Sequence, residues 1–302
     1  MKKFWGSVAM IAATIIWGLA FSAQSSGMKF IDPVIFTAVR SLVGALTLIV
    51  LTAVMDAVLL KKISIWGSAG TSAERKELLT GGVLCGVVIA AASILQQAGL
   101  KFTTAGKTGF LTALYIIFVP LLGIFLKRRT TPVLWLAVML GLAGSYLLCG
   151  GISSIGKGEL MVVACALVYS VHILVIDRYA PKCDCVRLCG IQFVIATLLA
   201  FAASFIAGEP WILQQIIKAA PFWIFCGVGS SGIAFTLQMV AQKYLHPVTA
   251  TLLMSLESVF AVLGGWMFLN ERLSPMELTG CAVIFGAVIL AQLPVKSKTS
   301  SR

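Results

Sequence analysis

Charged side chains are scarce in this sequence, and acids are the scarcest. Of 302 residues only 11 are Asp or Glu and 2 are His; all charged residues together make up 11%. A soluble domain carries about 25%. So little polar surface cannot cover a fold in water, which excludes an ordinary soluble domain and leaves an integral membrane protein. Catalytic strings are missing too. There is no G-x-S-x-G, no H-E-x-x-H and no G-x-x-x-x-G-K-[ST] to cradle ATP phosphates. A membrane enzyme would need His, Asp or Cys clustered at one face, and no such cluster is visible, so no enzyme activity and no cofactor is expected. The eight cysteines lie mostly inside apolar runs and imply no disulfide framework. Cys183 and Cys185 flank Asp184 as a half-site for a metal, without a second half.

What the chain has is apolar length. Hydrophobic residues make up 59%. Ten runs are long enough to span a bilayer. They cover about Phe4–Gln24, Pro33–Met55, Leu78–Leu100, Lys107–Leu126, Thr131–Cys149, Gly158–Ile176, Val186–Ala207, Pro221–Gln242, Leu252–Arg272 and Pro275–Leu293. The first follows Met1-Lys2-Lys3 like a signal peptide, but it is too long and is expected to stay as a span. A polar loop, Asp56 to Glu77, separates the second and third. The net charge of +12 sits between the spans, with no basic stripe interleaved with aromatics, so nucleic acid is not an expected partner. With the N-terminus in the cytoplasm, that side holds 16 of the 23 Lys and Arg. The outer side holds 6, and Arg40 is left in the membrane. The excess predicts both termini cytoplasmic.

The two halves repeat. Lys101-Phe102, Leu111, Leu114, Phe118, Leu121 and Gly123 return as Lys243-Tyr244, Leu253, Leu256, Phe260, Leu263 and Gly265, always 142 residues on (243 − 101 = 142). Gln96 and Gln238 fit the same offset. A gapless offset of half the chain is an internal repeat. Five spans in each half is an odd number, so the second half enters from the opposite face as an inverted repeat. The expected fold is all-α: residues 1–150 as one five-helix repeat and 151–302 as its inverted copy with a cytoplasmic tail. Gly150–Gly158 is the linker.

WGLAFSAQSSG (17–27), LQQAGLKFTTAGKTGFLTALYIIFVPLLG (95–123) and LQMVAQKYLHPVTATLLMSLESVFAVLGGWMFLNERLS (237–274) resemble the EamA family of the drug/metabolite transporter superfamily. The resemblance covers nearly the whole chain. It implies a ten-helix permease of the bacterial inner membrane, usually an exporter of small metabolites or amino acids. It also implies that the fifth and tenth helices are outer scaffold.

Several residues carry chemistry that lipid would penalise. Glu257 lies within the apolar stretch 252–272, where a carboxylate costs at least about 2.5 kcal/mol to insert. It is either a proton or cation site or a structural acid bonded to a neighbour. In register it falls opposite Tyr115. Arg40 lies about two turns inside its helix; it would bind a substrate carboxylate, pair with an acid or snorkel outward. Its counterpart in the second half is Gln192. Gln96, Gln97, Gln192 and Gln238 are amides that need partners in lipid. Trp17, Phe21 and Gln24 share a helix face, and Tyr169 and His172 lie on the matching helix. An aromatic wall with polar tips suits an amphipathic organic substrate. Gly109 with Ala113, and Ala282 with Gly286, read as small-residue packing pairs. Glu271 and Arg272 read as a solvated pair at a helix end.

These features together predict a secondary transporter, working by alternating access around a midplane cavity. Its partners would be a small-molecule substrate, the lipid bilayer and a proton gradient, in a monomer or homodimer. A non-transporting sensor or structural protein is the alternative, and it would lack a cavity between the halves.

Overall fold

The computed structural model describes residues 1–61, 63–126, 131–148, 156–269 and 274–292. All regular elements among them are helices. The first half holds α1 (Lys2–Gly27), α2 (Pro33–Met55), α3 (Ser72–Leu100), α4 (Ala105–Thr112), α5 (Tyr115–Phe125) and α6 (Pro132–Leu148). The second holds α7 (Lys157–Tyr179), α8 (Cys185–Ile206), α9 (Leu213–Lys218), α10 (Ala220–Phe225), α11 (Phe235–Gln242), α12 (Pro247–Met254), α13 (Leu256–Leu269) and α14 (Pro275–Gln292). Among the described residues, eight continuous helical stretches are long and apolar enough to cross a membrane, and α6 and α14 are shorter apolar helices. Apolar side chains such as Leu46, Ile49 and Val50 of α2 face outward, as lipid contact requires.

The expected span over Pro33–Met55 matches α2. Other boundaries differ. The loop expected from Asp56 to Glu77 is shorter: a π-helical turn, Asp56–Leu60, extends α2, and Ser72 already begins α3. A capping box causes that early start. Thr71 accepts from Glu74 N, and Glu74 accepts from Thr71 N, satisfying two end donors at once. The eighth stretch is not a uniform α-helix either. Cys226–Ala234 widens into π-helix between α10 and α11. Its glycines let α2 come close, since a Cβ on Gly227 would meet Val43 at 2.6 Å. Lys62, the Lys127-Arg128-Arg129 cluster, Glu271, Arg272 and most of the expected linker and tail lie outside the described residues.

The repeat is visible in backbone detail. The helical stretches 105–125 and 247–269 break at the same place. α4 ends at Thr112 and α5 starts at Tyr115; α12 ends at Met254 and α13 starts at Leu256. Ile116 N bonds Ala113 O at 3.0 Å, and Ser258 N bonds Ser255 O at 3.1 Å, both pairs 142 apart (258 − 116 = 142). Thr104 and His246, also 142 apart, each cap the helix that follows.

Corresponding helices pack on each other in opposite directions. Asp56, just past the end of α2, bonds Arg187 at the start of α8. Glu209, just past the end of α8, accepts from Val34 N and Ile35 N at the start of α2 (3.1 and 2.8 Å). α6 and α14 behave alike: Gly141 faces Ala287, while Gly144 faces Gly280 and Ile284. The packing pair expected around Gly286 is therefore centred on Gly144, because a Cβ on Gly286 would meet nothing within 4 Å. Gly109 does pack closely, and its carbonyl accepts from Ser258 Oγ at 3.1 Å.

A tight seam joins α1 to α13. A Cβ on Gly18 would lie 2.3 Å from Phe260 Cβ and 2.6 Å from the Phe260 backbone carbon. Gly18→Ala is therefore expected to cost about 1–3 kcal/mol by overpacking. Gly286→Ala should stay within about 0.5 kcal/mol of the parent. Thermal unfolding in detergent measures both, and equal shifts would refute the seam.

Candidate functional site

The repeat-related break points bring the polar residues together. Tyr115 opens α5 and Glu257 sits in the first turn of α13. The Tyr115 hydroxyl donates to Glu257 Oε1 at 2.9 Å, across 142 residues of chain. The two halves therefore meet here at equivalent positions of the repeat. One turn earlier the same contact is made twice. Gln96 Nε2 donates to Thr112 Oγ1 at 3.1 Å, and Gln238 Nε2 to Met254 Sδ at 3.7 Å. These are one contact in two copies (238 − 96 = 254 − 112 = 142).

All six of those residues line one cavity. Trp17, Phe21 and Gln24 of α1, Arg40 of α2, Tyr169 of α7, Ser230 of the π-helical stretch and Phe235 of α11 complete it. α6 and α14 contribute nothing to the wall, as expected of scaffold helices, and neither does α8. The free volume is about 30 Å³, room for a few waters at most. A site that encloses a drug-sized molecule spans about 300–1,000 Å³, so the cavity is contracted.

Its chemistry is unbalanced. Arg40 is 4% exposed and Glu257 5%. Among the described residues no carboxylate pairs with Arg40. Its Nε, Trp17 Nε1, Gln24 Oε1 and Gln238 Oε1 are buried without a protein partner. Buried polar atoms are nearly always satisfied, and four of those without a protein partner lie at this one cavity. The wall offers a guanidinium and an indole N–H as donors, with amide and carboxyl oxygens as acceptors. Trp17 packs edge-on to Phe235 at 5.0 Å, closing the apolar side.

Of the residues expected at the site, Trp17, Gln24, Arg40, Gln96, Tyr115, Tyr169, Gln238 and Glu257 meet at this cavity. His172 and Gln192 do not. Both are fully buried behind Phe235, and His172 Nε2 bonds Gln192 Oε1 at 2.7 Å. α8 turns Gln192 toward α7, so the position matching Arg40 lies outside the wall. Gln97 is buried with both amide atoms unpartnered, away from the lining. Thr112, Ser230, Phe235 and Met254 were not foreseen. Thr112 and Met254 had a signal, since each stands 16 residues past a repeat-related glutamine. Cys183 and Cys185 form no metal-binding group among the described residues; Asp184 between them caps α8 instead.

A polytopic membrane protein with a buried, unbalanced polar cavity between two copies of one unit is the class this geometry defines. The chain belongs to the EamA-like transporter family, whose model matches twice, over residues 4–150 and 156–293. An uncharacterized transporter of Archaeoglobus fulgidus is 26% identical over 98% of this chain and 88% of its own. The uncharacterized transporter YoaV of Bacillus subtilis is 23% identical, over 92% and 93%. The threonine/homoserine exporter RhtA of Escherichia coli is 24% identical over 58% of this chain and 59% of its own. One solved crystal structure superposes with a TM-score of 0.74 at 20% identity, over 95% of this chain and 96% of that one. That likeness is one of fold.

The Tyr115–Glu257 bond generates a test. Tyr115→Phe leaves a buried carboxyl oxygen without its donor and should cost about 1–3 kcal/mol. Tyr115→Phe combined with Glu257→Leu removes both partners and should recover much of that loss. A double-mutant cycle on thermal unfolding reads the coupling; simple additivity would mean the bond contributes nothing.

Proposed function

We propose that this protein is a secondary transporter of ten membrane spans in two inverted five-helix repeats, 1–150 and 151–302. It moves a small amphipathic organic molecule of amino-acid size across the cytoplasmic membrane, outward, by alternating access. The observation that carries this is the contracted cavity where the two repeats meet, with its acid and an arginine that has no carboxylate partner among the described residues. The opposed directions of α2 against α8 and of α6 against α14 support the inverted arrangement. An inverted pair of repeats presents one central site to each side of the membrane in turn.

The substrate class follows from complementarity. Arg40 presents a planar fork suited to a carboxylate. Glu257, Gln24 Oε1 and Gln238 Oε1 present acceptors suited to an ammonium group. Trp17, Phe21, Tyr169 and Phe235 take a short apolar side chain. A zwitterion satisfies both sets at once. The relative named as a threonine/homoserine exporter is in keeping with a solute of that size.

Glu257 is the coupling residue. It carries a proton that alternating access exposes to each side. In purified protein reconstituted in liposomes, Glu257→Gln should keep the Tyr115 contact and substrate counterflow, while transport driven by an imposed pH gradient falls to background. Full response of that variant to the gradient would make Glu257 structural. Arg40→Gln should weaken carboxylate substrates at least tenfold and leave amines lacking a carboxylate nearly unchanged.

A further inference from the structure

The two ends of the α2/α8 pair share one Asp and one Lys but connect them differently. Asp32 precedes α2 and Asp184 precedes α8, 152 residues apart (184 − 32 = 152), each at the N-cap. Asp184 caps its own helix: Oδ1 accepts from Val186 N and Arg187 N at 2.9 and 3.2 Å. The equivalent donors on α2 are Val34 N and Ile35 N (186 − 34 = 187 − 35 = 152). Asp32 does not cap them. It pairs with Lys101 at 2.7 Å, and Glu209 crosses over from the other half to take both donors. A Schellman turn at Gly208 (φ 66°) aims Glu209 there, with Glu209 N bonded to Ser204 O and Gly208 N to Phe205 O.

At the opposite end the counterpart of Lys101 is Lys243 (243 − 101 = 142). Lys243 is exposed and makes no ion pair among the described residues. It stands within electrostatic reach of Cys183 and Cys185, the neighbours of Asp184. Arg187, nearly buried, ties Asp184 at 2.6 Å, Asp56 and Ser64 O together. That holds the loop after α2 against α8.

We propose that these two sets exchange partners during the transport cycle. In the state opposite to this one, Asp32 caps α2 and frees Glu209 and Lys101, while Lys243 takes Asp184 and Arg187 releases Asp56. The proposal rests on the transporter reading above and goes beyond it by assigning the contacts that hold each end. The physical ground is that Asp32 and Lys101 recur as Asp184 and Lys243, so each end has the acid and the base for the pairing the other end makes. Each N-cap acid has a second partner of matching chemistry at its own end: the α2 donors for Asp32 and Lys243 for Asp184. Lys243 makes no ion pair in the present arrangement among the described residues.

The test is hydrogen exchange by mass spectrometry on the full chain in nanodiscs, without substrate, on Lys101→Gln, Glu209→Gln and Lys243→Gln. Lys101 and Lys243 are exposed, so those variants should fold. Lys101→Gln and Glu209→Gln weaken the present state. They should speed exchange several-fold in the loop 63–71, at the far end of the α2/α8 pair. Lys243→Gln weakens only the opposite state. It should slow exchange both in 63–71 and at the start of α2, residues 33–41. Effects confined to the end that carries each substitution, or no effect from Lys243→Gln, would overturn the switch. Reciprocal exchange shifts in a protein that moves no solute in liposomes would sink the transporter reading and leave the switch standing.

Discussion

The structure depends on a constraint at its centre: a carboxyl group held in the membrane interior must be bonded by the protein. Glu257 meets it through Tyr115, its own repeat mate. That choice of partner has a geometric consequence. Two equivalent positions of the repeat touch at this bond. The bond therefore draws the break between α4 and α5 and the break between α12 and α13 to one point. Gln96 with Thr112 and Gln238 with Met254 follow one turn away. The cavity is where two copies of one unit bring their interrupted helices together, and interrupted backbone at membrane depth is tolerated only where protein or a cavity covers it.

Symmetry supplies the place, and departures from it supply the chemistry. Tyr115 against Glu257 is already unlike. Arg40 has no equivalent at the wall, because Gln192 bonds His172 inside the second half. The π-helical widening at Cys226–Ala234 has no counterpart in α3, which stays α-helical over the matching residues. It brings Ser230 to the lining and lets α2 approach closely enough to carry Arg40 inward. A strictly symmetric pair of halves would present the same group twice and could not distinguish the two ends of a solute.

Much of this was legible in the sequence, for physical reasons. Apolar length is what a bilayer demands, so α2 could be placed to the residue. The offset of 142 paired Tyr115 with Glu257 because the repeat has no gap there. Other features leave no local mark. Nothing in Ala113, Leu114 or Ser255 announces a broken helix. Pro120 cannot be the common cause, since its counterpart is Val262 (262 − 120 = 142). His172 was expected at the wall because it shares a helix with Tyr169, but its place is set by Gln192, a contact between helices that spacing does not reveal. The cross-capping of α2 by Glu209 was invisible for the same reason: Asp32 before Pro33 reads as a cap from the same helix.

The unbalanced cavity bears on how such a protein moves. An arginine buried with no carboxylate partner among the described residues, next to amide oxygens without a protein partner, is a standing cost to the contracted state. A ligand that satisfies those atoms removes part of the cost in the states where it fits. A ligand shifts an equilibrium only by its difference in affinity between two conformations. The free space here accommodates a few waters. On the alternating-access reading proposed above, the conformations that admit a solute are wider than this one, and satisfying Arg40 and the amide oxygens favours closure around it from either side. On that reading the same polar groups that make the site costly when unfilled couple its occupancy to the change of access.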